Sequence, residues 1–271
     1  VPGSREHDVI AGSAGALLSL LSLHHIAPDP ALLTGMRAVG ERLAAGAEEH
    51  GGGLAWRGAF HPERPLAGFS HGASGIATAL ARLDVRAGTR DYRDVVDGAL
   101  RFERTLYDEG LGPWRDMRVD TPDDNNMVAW CHGAAGVSLA RAELLAYAGD
   151  HDGVRHDLAL ALAAVANPAT GLHNHSICHG DLGNAEILLK AANAVGDAEL
   201  AGRAALIAAD VARDAQEGAW RCGVPRGVET PGLMSGLAGI GLALLRCADP
   251  TVPSVLALDP PAYHRGAIGL P

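Results

Sequence analysis

Five times along this chain a Gly-x-x-Gly pair opens a mostly apolar run: AGSAGALLSLL at Gly12 and Gly15, HGASGIATAL at Gly72 and Gly75, HGAAGVSLA at Gly133 and Gly136, HGDLGNAEILL at Gly180 and Gly183, and SGLAGIGLALL at Gly236 and Gly239. The leading glycines stand 60, 61, 47 and 56 residues apart, room for one pair of helices with its loops. A unit repeated at that period cannot bury its apolar face alone and must stack on its neighbours. The register of the repeat therefore constrains the architecture before any single residue is considered.

The segments between the signatures, 29–49, 92–110, 154–166 and 199–218, space their apolar residues three and four apart and end in polar residues. That is the pattern of a helix with one buried face. The runs after each glycine pair are apolar almost all round and are expected inside. Aromatic residues make up 4% of the chain and β-branched residues rarely alternate, which favours helix over strand. The expected fold class is all-α, an α/α toroid of inner and outer helix pairs, about five of them. Glycine at each inner helix start permits close backbone approach and leaves the inner N-termini facing one rim. Whatever precedes each glycine pair is then displayed on that rim.

With 271 residues, 48% of them apolar, the chain can bury a sizeable core. A formal net charge of −10 and the lack of a Lys/Arg stripe argue against nucleic acid as a partner. No apolar stretch reaches the roughly 18 to 20 residues needed to cross a bilayer. The opening VPGSREHD lacks the regions of a secretory signal, so no membrane contact and a cytoplasmic location are expected. Cys131, Cys178, Cys222 and Cys247 are too few for a disulfide scaffold in so large a chain, and are expected as free thiols open to metal or chemistry.

Immediately before the leading glycines stand Ala11, His71, His132, His179 and Ser235, and one position earlier Ile10, Ser70, Cys131, Cys178 and Met234. Two cysteines thus share a register in consecutive repeats, which brings them to neighbouring points of one rim although 47 residues separate them. Joined by a histidine they make a Cys2His set, known for zinc, with the fourth tetrahedral position open. Register alone leaves the third ligand open between His132 and His179. A cysteine in an Ala-rich helical chain is otherwise a small buried hydrophobe, the reading kept for Cys222 and Cys247. His71 holds the rim position one repeat earlier, and Asp8, four residues before Gly12, reads as a helix cap or as an acid or base. His24, His25, His151 and His156 are expected on surfaces or loops. The H-E-x-x-H signature of zinc hydrolases is absent.

In this order and spacing, HDVIAGSAG, GFSHGASGIA, WCHGAAG, SICHGDLGN and PGLMSGLAGIG resemble the motifs of the lanthionine synthetase C-like cyclases. The resemblance is closest to the C-terminal cyclase module of bifunctional bacterial lanthipeptide synthetases and runs essentially through Arg246. It implies a single cyclase domain over 1–271, with a central Zn2+ held by Cys131, Cys178 and His179. It further implies an acid/base histidine at His71 and an active-site aspartate at Asp8. The implied reaction is conjugate addition of a peptide cysteine thiolate to dehydroalanine or dehydrobutyrine in a dehydrated precursor peptide, forming a thioether ring. A dehydratase domain in the parent chain is an implied further partner. A non-catalytic, zinc-braced module that binds thiols or peptides is the alternative on the same fold. Members of the family usually close the ring with seven helix pairs. Five signatures therefore carry the expectation of a partial domain, its first pairs missing and its inner-helix faces exposed.

Overall fold

The computed structural model describes residues 6–58, 62–109, 112–118, 127–147, 151, 153–167, 173–218 and 220–260. In chain order the helices are α1 (Ser13–Ile26), α2 (Pro30–Ala45), α3 (Ala73–Ala87), α4 (Arg93–Arg104), α5 (Ala134–Tyr147), α6 (Val154–Val165), α7 (Asp181–Val195), α8 (Ala198–Glu217) and α9 (Leu237–Ala248). Two short antiparallel hairpins interrupt them, β1 (Glu48–His50) with β2 (Gly53–Ala55), and β3 (Tyr107–Asp108) with β4 (Gly112–Trp114).

Packing follows the repeat. Helices α1 and α2, α3 and α4, α5 and α6, and α7 and α8 form hairpins, while α1, α3, α5, α7 and α9 pack side by side in succession. The inner helices α3 and α7 are buried along most of their length, and the outer helices α4 and α8 bury one face. This is the all-α toroid architecture of inner and outer layers. The outer helices stop short of the apolar spacing that announced them: α2 ends at Ala45 and α4 at Arg104, and each is followed by a strand hairpin. The first hairpin turns on Gly51 and Gly52, both at positive φ, where a side chain is disfavoured.

Among the described residues four inner–outer pairs form, and α9 is an inner helix with no outer partner there. Pro250 and Pro253 follow it, and proline stops a helix by removing a donor and clashing with the preceding turn. Residues 254–259 instead turn in among the inner helices. Helices α1 and α9 end the series and do not pack on each other as the successive inner helices do. Leu23 on α1 and Leu245 on α9 are exposed.

The glycine signature has a steric cause. A Cβ on Gly75 would collide with the Phe69 carbonyl, and one on Gly183 with the Ile177 carbonyl. The loop entering each inner helix folds back over its first turn and leaves no room for a side chain. Between the layers lies a buried ionic core. Arg141 of α5, with no exposed surface, pairs with Glu103 of α4 at 2.7 Å and with Asp157 of α6 at 3.1 Å. Glu103 also accepts from the Gly68 N–H at 3.2 Å and the Ser74 N–H at 2.9 Å, so an outer helix holds the loop that enters α3.

Of the histidines expected on surfaces or loops, His24 lies within α1 and is buried, accepting from Arg86 Nε at 2.7 Å, while His151 does lie in the loop before α6 but is also buried, its Nδ1 2.6 Å from the Asp97 carboxylate. Each is drawn inward by a charged partner on another helix. His25 and His156 are exposed as expected. Among the described residues no helix is long and apolar enough to cross a membrane.

Candidate metal centre

The loops that enter the inner helices are stitched together by backbone hydrogen bonds. Val9 N–H donates to the Ser70 carbonyl at 3.0 Å, Phe69 N–H to the Trp130 carbonyl at 3.3 Å, and Cys178 N–H to the Met234 carbonyl at 2.9 Å. Between the third and fourth repeats the link is a side chain, the Asn184 amide donating to the Val128 carbonyl at 2.9 Å. Cys131 lies just before α5, and Cys178 with His179 just before α7.

The ligand atoms of Cys131, Cys178 and His179 all lie within 4.8 Å of one another. A tetrahedral zinc with bonds of about 2.0 to 2.3 Å needs donors roughly 3.3 to 3.8 Å apart, so the three can close on one ion with small adjustments. Two sulfurs and an imidazole are the donor chemistry zinc prefers. His179 Nε2 lies 2.9 Å from the Gly223 carbonyl. A carbonyl can only accept, so Nε2 carries the proton and Nδ1 keeps the lone pair for a metal. His132 does not belong to the cluster. It is buried and stacks on His71, with ring centroids 5.4 Å apart and planes 17° apart.

The two thiols titrate as a pair. The hydrogen bond from Cys131 holds Cys178 below the ordinary thiol range, with help from the Arg118 charge. The same hydrogen bond, joined by burial, pushes Cys131 up, and contact with Cys131 raises His179. Both thiols would have to lose their protons to hold a divalent cation. Cys222 is buried with its sulfur 4.0 Å from the Thr230 carbonyl, Cys247 is half-buried on α9, and neither joins the cluster.

His71 and Asp8 meet in the loops that enter α3 and α1, Nδ1 lying 2.8 Å from Oδ2. The other carboxylate oxygen accepts the Ala11 N–H at 2.8 Å. Asp8 thus holds the turn and also faces a histidine. It does not cap α1, whose N-cap is Gly12. The His71 side chain is 29% exposed and that of Asp8 8%, so the pair is reachable from outside at the imidazole.

Sequence reasoning missed Arg118 and Gly223. Arg118 is fixed on Asp116 by contacts of 2.9 and 2.5 Å, and its charge acts on both ligand thiols. Neither residue sits in the repeat register that located the two cysteines or in the motifs that carried the family resemblance. A cleft of about 520 Å³ opens beside His179, lined by Asn174, Arg221, Gly223 and Arg226 among others.

The family model described as lanthionine synthetase C-like protein matches residues 2–258. That span takes in all five glycine signatures, the three clustered ligands and the His71–Asp8 pair. With the repeat, the layered helices and the match over nearly its whole length, the chain belongs to the lanthionine synthetase C-like family.

Proposed function

We propose that this protein is a zinc-dependent cyclase that forms lanthionine or methyllanthionine rings in a dehydrated precursor peptide. The observation that carries this reading is the convergence of Cys131, Cys178 and His179 within 4.8 Å, on the rim that also bears the His71–Asp8 pair. Zinc held by these three residues would keep an incoming peptide thiol, of ordinary pKa about 8.5, in its thiolate form at neutral pH.

The reaction is a conjugate addition. A carbon–sulfur bond forms at the β-carbon of dehydroalanine or dehydrobutyrine, the π electrons move into an enolate, and a proton is delivered to the α-carbon. Nothing leaves, so the peptide keeps its mass. His71 is assigned the proton delivery: its Nδ1–H is engaged by the Asp8 carboxylate, which leaves Nε2 as the exchanging atom. Asp8, itself held by the Ala11 N–H, sets the tautomer and the ring orientation. His132, stacked on His71, restricts the tilt of that ring. Arg118 offsets the negative charge gathered at the sulfurs.

The test is to mix the zinc-loaded chain with a dehydrated peptide that carries free cysteines. Free thiols should disappear while the peptide mass stays constant, the loss should stop on chelation, and it should resume on adding zinc. Thiols that persist with zinc in place would leave the non-catalytic, thiol-binding reading of the fold, and a gain of one water would indicate hydrolysis.

A further inference from the structure

Beyond α9, residues 254–259 turn in among the inner helices. The Ser22 hydroxyl of α1 donates to the Leu258 carbonyl at 2.8 Å, and the Arg82 guanidinium of α3 to the Ala257 carbonyl at 2.8 Å. Lys190 of α7 reaches the Asp259 carboxylate at 2.8 Å, and the Ser254 hydroxyl donates to Glu186 of the same helix. Leu256 and Ala257 have no exposed surface. Residues 254–259 thus form an axle gripped by inner helices from several sides.

One side chain of the metal-bearing rim reaches this axle with a hydrogen bond among those described: the indole N–H of Trp130 donates to the Leu256 carbonyl at 3.1 Å. Trp130 directly precedes Cys131. Its own carbonyl accepts the Phe69 N–H at 3.3 Å, two residues before His71, and its ring lies against Phe69 at 6.1 Å between centroids. A single buried residue therefore ties together the Cys131 loop, the His71 loop and the axle. A ligand carried on a loop binds a metal weakly unless something fixes it beforehand, because binding must then also order the loop.

We propose that Trp130 is a positioning residue that holds Cys131 in the ligand set by anchoring its loop to the Leu256 carbonyl of the C-terminal axle. The inference rests on the metal reading of Cys131, Cys178 and His179. Trp56 supplies the control, since it is equally buried and donates its indole N–H to the Leu43 carbonyl at 2.7 Å, but stands next to no ligand.

The experiment compares zinc affinity, by chelator competition, in the unaltered chain, Trp130→Phe and Trp56→Phe, together with the thiolate charge-transfer band after cobalt substitution. Losing one hydrogen bond of ordinary net strength should weaken zinc binding roughly fivefold to tenfold in Trp130→Phe and change the cobalt band. Trp56→Phe should match the unaltered chain in both. Because coupling between two sites is reciprocal, zinc should also slow hydrogen exchange at the Leu258 and Asp259 amides, which bond to the Val255 and Ser254 carbonyls. That measurement needs no variant, so it decides the matter even where Trp130→Phe fails to fold. Equal zinc affinity in the two tryptophan variants, or axle amides indifferent to zinc, overturns this inference and leaves the metal reading standing. An unaltered chain that takes up no zinc removes the metal reading and this inference with it.

Discussion

His71 and Asp8, 63 positions apart in the chain, meet with Nδ1 2.8 Å from Oδ2. They belong to consecutive repeats, and the Val9 N–H to Ser70 carbonyl bond between their loops brings them together. Asp8→Asn keeps an oxygen for the Ala11 N–H but offers an amide to the imidazole, which favours the other tautomer. Ring closure should slow by about 10²- to 10⁴-fold, the usual worth of positioned acid–base catalysis, and His71→Asn should do the same. Zinc content should not change in either. Single-turnover rates on a dehydrated peptide, read beside metal analysis, check both halves of the expectation.

Cys131→Ala and Cys178→Ala should each lose zinc and ring closure together, because two remaining ligands hold the ion far less tightly than three. Cys222→Ala is the internal comparison: its sulfur faces the Thr230 carbonyl and not the cluster, so zinc should stay bound. Elemental analysis of the purified variants tests this directly, and undiminished zinc in both ligand variants would refute the ligand assignment.

Glycine has different meanings along this chain. Gly75→Ala places a methyl group against the Phe69 carbonyl, and it should cost at least about 2 kcal/mol of stability because the obstructing atom is backbone. Gly35, exposed in the middle of α2, would meet nothing within 4 Å. Gly35→Ala should therefore stabilise the protein by up to about 1 kcal/mol through helix propensity. Denaturant midpoints of the two variants should move in opposite directions.

His175 and His7 should each contribute a loss of stability on acidification below neutral pH. Burial, assisted by Arg221, holds His175 below the ordinary histidine value of 6.5. Burial, assisted by Arg42, does the same to His7. Above pH 6.5 both are neutral whether the chain is folded or not. As the pH drops through 6.5 the unfolded chain takes up protons that the folded one refuses, so stability is lost toward the folded-state pKa values. His175→Asn retains an acceptor for the Arg221 N–H but cannot titrate, and it should flatten the dependence. Urea midpoints measured between about pH 7.5 and 5.5 give the slopes to compare; equal slopes for His175→Asn and the unaltered chain would exclude His175 as a contributor.

The rim site was legible as far as register could carry it. Cys131 and Cys178 are equivalent residues of neighbouring repeats, and the loops of neighbouring repeats must lie side by side once the helices stack. The third ligand was not legible that way, since His132 and His179 hold the same register. The family resemblance named His179, and the structure shows the difference between them: His179 Nε2 donates to the Gly223 carbonyl, while His132 is stacked on His71. The strand hairpins and the burial of His24 and His151 were likewise hidden, because each depends on a partner with no periodic relation to it.

From the amino-acid order alone came the layered helical repeat, the need for glycine at each inner helix start, and the rim on which two cysteines converge. These follow from local rules: apolar spacing sets which helix faces inward, and the same turn recurs at each signature. The tertiary structure alone showed that His179 and not His132 lies with the two cysteines, as the family resemblance had implied and register could not, that the Arg118 charge acts on their sulfurs, and that residues 254–259 fill the space where an outer helix was expected to follow. The physical reason is that such contacts join segments outside the repeat, whose meeting is determined by the curvature of the stacked helices and by which buried polar groups find partners there.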